Sequence, residues 1–170
     1  MKQNNITKRV VTVGIIAALY AVLTMVLAPI SYGPVQFRVS ELLVLLAFID
    51  PMYIIGLTLG CAVSNLLGGY GPIDIIFGSA ATMLAGIATY ITAVKIRNKN
   101  TALIIGSIWP TIFNGVIIGW VLNVTAGLPL IPSMISVAIG EFVVVTVIGV
   151  PLYKLIENKY GKTLSKFSLR

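Results

Sequence analysis

Residues 10–29 read VVTVGIIAALYAVLTMVLAP, an uncharged run that directly follows the basic pair Lys8 and Arg9. A run of about 20 apolar residues with a basic flank is typical of a membrane-spanning helix. The run is longer than a signal-peptide core and no A-x-A cleavage pattern follows, which predicts a retained span. Over the whole chain 58% of residues are hydrophobic and 10% are charged, against roughly 25% charged in a soluble domain. The sequence therefore predicts an all-α integral membrane protein.

The charges indicate a topology. Net charge is +7, and nearly all basic residues lie in three groups outside the apolar runs. These groups are Lys2, Lys8 and Arg9; Lys95, Arg97 and Lys99; and Lys154, Lys159, Lys162, Lys166 and Arg170. By the positive-inside rule both termini are cytoplasmic, in a multi-pass protein of the cell membrane. The basic charge is thereby accounted for by the lipid bilayer, and no nucleic-acid partner is expected.

Two cytoplasmic termini require an even number of spans. Pro51 after Asp50 predicts one turn, with Asp50 capping the helix that follows, and Gly and Pro residues near 68–72 and 125–132 predict others. We expect a single transmembrane domain over residues 1–170 with six helices. Their predicted bounds are about 9–29, 37–50, 51–67, 73–95, 101–124 and 131–154. The second is short for a membrane span.

Glu141 is the acidic residue predicted to lie deepest. It lies ten residues in from an outer helix end near residue 131, or about 15 Å at 1.5 Å per residue. Asn114 has the same predicted depth, and no basic residue is expected at that depth. Two interpretations stay open: a hydrogen bond that ties two helices together, or a shared ligand site, which we prefer because a carboxylate in the bilayer needs a partner.

Four polar or aromatic residues are predicted to rim a cavity that opens outward. Asn65 and Asn123 lie near the outer ends of their spans. Trp120, one turn from Asn123, could instead belong to the interfacial aromatic belt. Asp74 could cap the fourth span or contact a substrate at the outer mouth.

The segment from Tyr32 to Glu41 combines an aromatic ring, an amide, a guanidinium and a carboxylate, with Gln36 and Arg38 between its ends. One interpretation is an Arg38–Glu41 ion pair over a helix start capped by Ser40. A loop that covers a ligand from outside explains more of the segment, and we expect Tyr32, Gln36, Arg38 and Glu41 to contact the ligand.

Small residues form a stripe on the first span. Ala17 and Ala21 are one turn apart, and Gly14 and Ala18 extend the same smooth surface. Small-xxx-small spacing lets helix backbones approach closely. The contact could be with another helix of this chain or with a partner protein.

Together these features resemble the substrate-binding S components of energy-coupling factor (ECF) transporters. More narrowly, YGPVQFRVSELL at residues 32–43 resembles the QueT family of such components. The resemblance implies a six-helix S-component bundle and a queuosine precursor of the 7-deazaguanine type as substrate, with cobalamin or a related corrinoid as the alternative. It also implies that Gly14, Ala17, Ala18 and Ala21 dock on a transmembrane coupling protein that works with two cytoplasmic ATPases.

Other classes of function have less support. The chain has one cysteine, Cys61, and no histidine, so no metal site is expected, and no cofactor. There is no G-x-x-x-x-G-K-[ST] motif and no G-x-S-x-G motif. An enzyme is therefore disfavoured, and ATP hydrolysis has to come from partner subunits. An autonomous carrier or channel stays open, although no internal repeat of the kind common in carriers is evident.

Overall fold

The structure is a computed structural model, and it describes residues 2–33, 36–68 and 70–167, with side chains for 6–33, 36–68 and 70–160. Every regular element in those ranges is helical. They are α1 (Lys2–Val26), α2 (Ala28–Ser31), a 3-10 helix (Val39–Phe48), α3 (Met52–Gly68), α4 (Pro72–Lys95), α5 (Lys99–Ala126), α6 (Leu130–Glu141), a π-helical segment (Phe142–Gly149) and α7 (Val150–Phe167). The predicted all-α class is confirmed.

Four described helices are long and apolar enough to cross a membrane: Ile6–Val26, Pro72–Lys95, Lys99–Ala126 and Leu130–Tyr160. The last combines α6, the π segment and the start of α7. Two shorter apolar helices, Val39–Phe48 and Met52–Gly68, occupy the places of the second and third predicted spans. The helices thus follow the predicted order, while the count of six spans remains a prediction.

The 3-10 helix lies at the centre of the bundle. It contacts α1, α3, α4, α5 and the π segment. Because a 3-10 helix repeats every three residues, Glu41, Val44 and Ala47 share one face, and all three are buried. Arg38, one repeat earlier, accepts the first bond of the helix from the Glu41 amide. The segment predicted as a regular span is therefore a tighter helix with its polar end inside the protein.

Helices α1 and α3 pack backbone to backbone. Gly56 and Gly60 are one turn apart on α3, and a Cβ added at Gly60 would lie 2.6 Å from the Ala17 carbonyl oxygen. Glycine is therefore required for this close approach. Ala21 is 7% exposed, whereas Gly14 and Ala18 are exposed. Ala17 and Ala21 thus contribute to an internal contact, which was one of the two alternatives for the stripe, and docking of the stripe on a partner stays a prediction.

The N-termini of α3 and α4 are capped in different ways. Asp50 Oδ1 accepts a hydrogen bond from the Met52 amide at 2.8 Å, which confirms the predicted cap. At α4 the cap is Gly71, with φ of 82°, and Pro72 opens the helix. Gly71, and not Asp74, therefore occupies the cap position, which corrects the capping interpretation of Asp74. Its carboxylate instead turns into the protein, where it is 2% exposed at the residue level.

Candidate functional site

Glu41 is held by two hydroxyl groups from different helices. The Tyr20 hydroxyl of α1 donates to Glu41 Oε1, and Thr82 Oγ1 of α4 donates to the same oxygen at 2.8 Å. All three residues are 0% exposed. The other carboxylate oxygen, Oε2, is buried and has no hydrogen-bond partner in the part of the chain that the structure describes. One oxygen of Glu41 therefore fixes the side chain and the other is left to bind something else.

Arg38 is buried beside Glu41, with 2% exposure. Its Nη1 lies 3.8 Å from Cys61 Sγ, and its guanidinium carbon lies 5.7 Å from the centre of the Tyr32 ring, in the range of a cation–π contact. Its Nε and Nη2 have no hydrogen-bond partner in residues 2–33, 36–68 or 70–167. Arg38 thus reaches the site with most of its donors unused.

The position of Arg38 corrects two predictions. Arg38 was expected in an outward loop, with an Arg38–Glu41 ion pair as one interpretation, but it is inside the bundle, and the ion pair found among the described residues joins Lys99 to Glu157. Ser40 does not cap the 3-10 helix; its hydroxyl lies 2.6 Å from Thr24 Oγ1. Ser40 lies in the first turn of the 3-10 helix, and Arg38 immediately precedes that helix.

Asn65 and Asp74 join α3 to the start of α4. Asn65 Nδ2 donates to the Asp74 carbonyl oxygen at 3.0 Å and lies 3.5 Å from Cys61 Sγ. Gly78 makes room for this amide, because a Cβ there would lie 2.3 Å from Asn65 Nδ2. Asn65 Oδ1 and Asp74 Oδ2 are buried, and neither has a hydrogen-bond partner among the residues described. Asp74 also interacts electrostatically with Arg38.

Glu141 and Asn114 meet in the same cluster. Glu141, 2% exposed, lies beside Asn114 and within electrostatic range of Glu41 and Arg38. Neither polar atom of the Asn114 amide makes a hydrogen bond of ordinary geometry, and Glu141 Oε2 also has no partner. The two residues are thus together, as their depth predicted. The expectation that no basic residue lies near Glu141 was wrong, because Arg38 does.

Gln36 and Tyr32 lie at the edge of the cluster. Gln36 is 2% exposed, and its carbonyl oxygen would lie 1.9 Å from a Cβ at Gly140, so the chain before Arg38 packs tightly next to Glu141. Tyr32 is half-buried, and its hydroxyl donates to the Ser64 carbonyl oxygen at 2.7 Å. Pro34 and Val35, in the middle of the predicted covering loop, lie outside the described residues.

Two predicted site residues are elsewhere. Trp120 is 37% exposed and packs edge to face on Phe77, with ring centres 4.9 Å apart. It is six residues beyond Asn114 on α5, about 240° around the helix, so it faces outward. Asn123 Nδ2 donates to the Leu128 carbonyl oxygen at 2.6 Å. This hydrogen bond joins the last turn of α5 to the loop that follows it. The contacts that the structure shows for these two residues are thus with Phe77 and Leu128, and their place at the rim of the site stays a prediction.

Residues 10–158 match the QueT transporter family. The chain belongs to the QueT transporter family. A curated relative, the protein of Lactococcus lactis subsp. cremoris called "Queuosine precursor transporter QueT", is 49% identical over 80 residues, which is 46% of this chain and 47% of the relative. The alignment thus spans about half the length of that relative. No solved structure matches the chain. The resemblance predicted from residues 32–43 is confirmed at the level of the family.

Three residues of the cluster in this QueT-family chain were not predicted as site residues: Tyr20, Thr82 and Cys61. Tyr20 lies within the alanine stripe, Thr82 is surrounded by apolar and small residues, and Cys61 was considered only as a possible metal ligand. All three are 0% exposed. A hydroxyl in the middle of a predicted span was the signal available for Tyr20 and Thr82, since such groups need a hydrogen-bond partner in a bilayer.

The QueT-family cluster is rich in polar atoms without a hydrogen-bond partner among the described residues. Ten buried side-chain atoms of the described residues have no hydrogen-bond partner, and eight of them belong to the six residues of this cluster: Arg38, Glu41, Asn65, Asp74, Asn114 and Glu141. Native proteins have few such atoms, and each needs an explanation. No three metal-ligating side chains of the described residues converge on one point. The cluster thus has unpaired donors and acceptors that suit a ligand with several hydrogen-bonding groups.

Proposed function

We propose that this chain is the substrate-binding S component of an ECF importer, and that it captures a queuosine precursor of the 7-deazaguanine type from outside the cell. The observation that carries the proposal is the buried cluster of unpartnered donors and acceptors in a chain of the QueT transporter family. The printed name of the Lactococcus relative supports the substrate class. With the termini in the cytoplasm, the cluster lies toward the outer half of the bundle.

The cluster offers the groups that a guanine-like base needs. The Glu141 carboxylate can accept hydrogen bonds from the N–H edge of the base. The carbonyl of the base can accept from the Asn114 amide or from Arg38, whose Nε and Nη2 are unused. Hydrogen bonds with one charged partner are roughly twice as strong as neutral ones. Tyr32 contributes an aromatic ring at the edge, and Gln36 and Asn65 complete the polar lining.

Direct binding tests this proposal. The purified chain in detergent is titrated calorimetrically with 7-deazaguanines, corrinoids and common vitamins. We expect heat of binding with a 7-deazaguanine and none with a corrinoid, because the cluster is polar and compact. Saturable binding of a corrinoid in the absence of any deazaguanine binding would contradict the proposed substrate class.

The coupling protein is proposed to dock on the exposed part of the α1 stripe. Gly14 and Ala18 are exposed, and a Cβ at Gly14 would meet nothing within 4 Å, so both positions accept larger side chains without disturbing this chain. We therefore expect Gly14→Leu with Ala18→Leu to lower uptake by cells that also express the coupling protein and the ATPases. Ligand binding by the isolated variant should be unchanged.

Ala126→Leu, at an exposed alanine on α5, is the matched control and should leave uptake unaltered. A loss of binding in step with uptake would count against a docking role for α1. Uptake by vesicles that contain this chain alone would show that it is an autonomous carrier.

A further inference from the structure

Residues 111–141 form an outer hairpin, which consists of the outer part of α5, the turn after it and α6. Its two helices pack backbone to backbone. A Cβ added at Gly119 would lie 2.6 Å from Met134 Cα, and one at Gly115 would lie 3.0 Å from Ala138 Cβ. Contacts this close leave no room for one helix to slide on the other. The outer hairpin is therefore one mechanical unit.

Both helices of the outer hairpin are irregular at its inner end. Pro110 stands inside α5, and a proline cannot donate to the carbonyl four residues earlier. Helix α6 passes directly into the π-helical segment, whose bonds join residues five apart instead of four. The two irregularities lie side by side, because Thr146 Oγ1 of the π segment donates to the Ser107 carbonyl oxygen and accepts from Ser107 Oγ, both at 3.1 Å. Helices bend at such places.

The part of α5 on the inner side of Pro110 is fastened to α4. The carbonyl oxygen of Gly106, which Pro110 leaves free, accepts from Thr89 Oγ1 at 2.9 Å. Trp109 Nε1 donates to Thr92 Oγ1 at 2.8 Å. A proline is tolerated in a membrane helix where neighbouring side chains satisfy the freed backbone groups. The inner part of α5 is thus fixed, and a bend at Pro110 moves the outer part.

The outer hairpin carries two of the six cluster residues, Asn114 and Glu141. Neither polar atom of the Asn114 amide nor Glu141 Oε2 has a hydrogen-bond partner in the described chain. On the opposite side of the cluster, Glu41 is held by Tyr20 and Thr82. All six cluster residues are at most 2% exposed. A ligand can therefore reach the cluster only after an element of the bundle has moved.

We propose that the outer hairpin is the gate through which the ligand enters and leaves the cluster. The hairpin pivots at Pro110 and at the π segment, and carries Asn114 and Glu141 away from the rest of the cluster. In the closed form Gly140 lies against the Gln36 carbonyl oxygen, which would be 1.9 Å from a Cβ at Gly140. This inference rests on the proposed function, because it describes how the same ligand reaches the cluster.

Pro110→Ala tests the first pivot. The variant regains an amide that can donate to Gly106, which should stiffen α5 at this point. Rapid filtration of a tritiated 7-deazaguanine that binds in the calorimetric titration should give association and dissociation rates that are both at least about fivefold lower, with an almost unchanged dissociation constant, because one opening serves entry and exit. Pro132→Ala is the matched control, since Pro132 is exposed in the first turn of α6, where amides have no helical partner. Its rates should be unchanged.

Thr146→Val tests the second pivot. The substitution keeps the shape of the side chain and removes the hydroxyl that joins the π segment to Ser107. Both rates should rise severalfold, because the two pivots are then no longer fastened to each other. Thr146→Ser retains the hydroxyl and should restore the original rates. Ser107 and Thr146 act as positioning residues, so a merely structural role for Thr146 would lower the unfolding midpoint and leave the association rate unchanged.

A reversible bridge tests the gate itself. Phe77 of α4 and Trp120 of the outer hairpin are in contact and are 41% and 37% exposed, whereas Cys61 is 0% exposed and should not react. The variant Phe77→Cys with Trp120→Cys is bridged with a short reagent that reacts with two thiols and is released by reduction. Bridging should slow binding of the same 7-deazaguanine at least about tenfold, and reduction should restore it. The double variant before bridging is the control.

The outcomes separate the inference from the proposed function. Rates in Pro110→Ala that equal those of Pro132→Ala, or undiminished binding by the bridged protein, would overturn the gate and indicate that another element opens. The proposed function would then stand, because a 7-deazaguanine still binds. Failure of the unmodified chain to bind any 7-deazaguanine would overturn the proposed function and the inference together.

Discussion

Glu141→Gln should weaken the binding of a 7-deazaguanine by about 10- to 150-fold and leave the protein folded. The substitution keeps the shape of the side chain and removes its charge. A hydrogen bond to a charged group contributes about 1.5–3 kcal/mol, and each 1.4 kcal/mol changes a dissociation constant about tenfold. Glu141 Oε2 has no partner within the described chain, so its hydrogen bond would be made with the ligand and would be lost in the variant.

The measurement is a calorimetric dissociation constant, taken together with the midpoint of thermal unfolding in detergent. If Glu141 serves only to join two helices through Asn114, the unfolding midpoint should fall and the affinity should stay the same. That result would remove Glu141 from the site. A ligand contact predicts the opposite pattern, because relief of a buried charge does not destabilise the empty protein.

Gly60→Leu should destabilise the protein more than any surface change. A Cβ at this position would lie 2.6 Å from the Ala17 carbonyl oxygen and 2.7 Å from the Tyr20 Cβ, and backbone atoms cannot rotate away as a side-chain end can. Inserting bulk into such a contact costs about 1–3 kcal/mol, or more where the backbone has to move. Because Tyr20 orients Glu41, ligand binding should weaken as well.

The control for this change is Gly14→Leu, which adds the same side chain on the exposed side of α1, where no atom lies within 4 Å. Thermal unfolding followed by size-exclusion chromatography of the heated samples compares the two variants. Equal unfolding midpoints would show that α1 and α3 do not depend on close backbone packing. A further variant, Gly60→Ala, should lie between the other two.

The fold class was predictable from composition because a membrane helix is defined by local hydropathy. The pairing of Glu141 with Asn114 was predictable because helix rise converts residue number into depth. The depth of a residue does not determine how its helix is rotated about its own axis. That rotation decides whether Asn114 or Trp120 faces the cluster. Arg38 was misplaced for a related reason: its neighbours Gly33 and Pro34 indicate a loop, whereas tertiary packing draws it inside.

Tyr20 and Thr82 could not be assigned to the site from the sequence for a similar reason. Each is a single polar side chain in a long apolar helix, and its partner, Glu41, lies on a third element. The π-helical segment after Glu141 was equally unpredictable, because the run FVVVTVIG at residues 142–149 has the composition of an ordinary apolar helix. Such segments are frequent at functional sites, and this one begins at the residue next to the buried acid.

The 3-10 geometry of Val39–Phe48 sets two properties of the protein at once. A 3-10 helix rises about 2.0 Å per residue, against 1.5 Å in an α-helix, so ten residues cover about 20 Å and not 15 Å. In the α form, residues three apart would also be turned about 60° from each other. Rewinding this segment would therefore shorten it by about 5 Å and turn Glu41, Val44 and Ala47 out of line with one another, so its length and the single buried face that carries Glu41 can only change together.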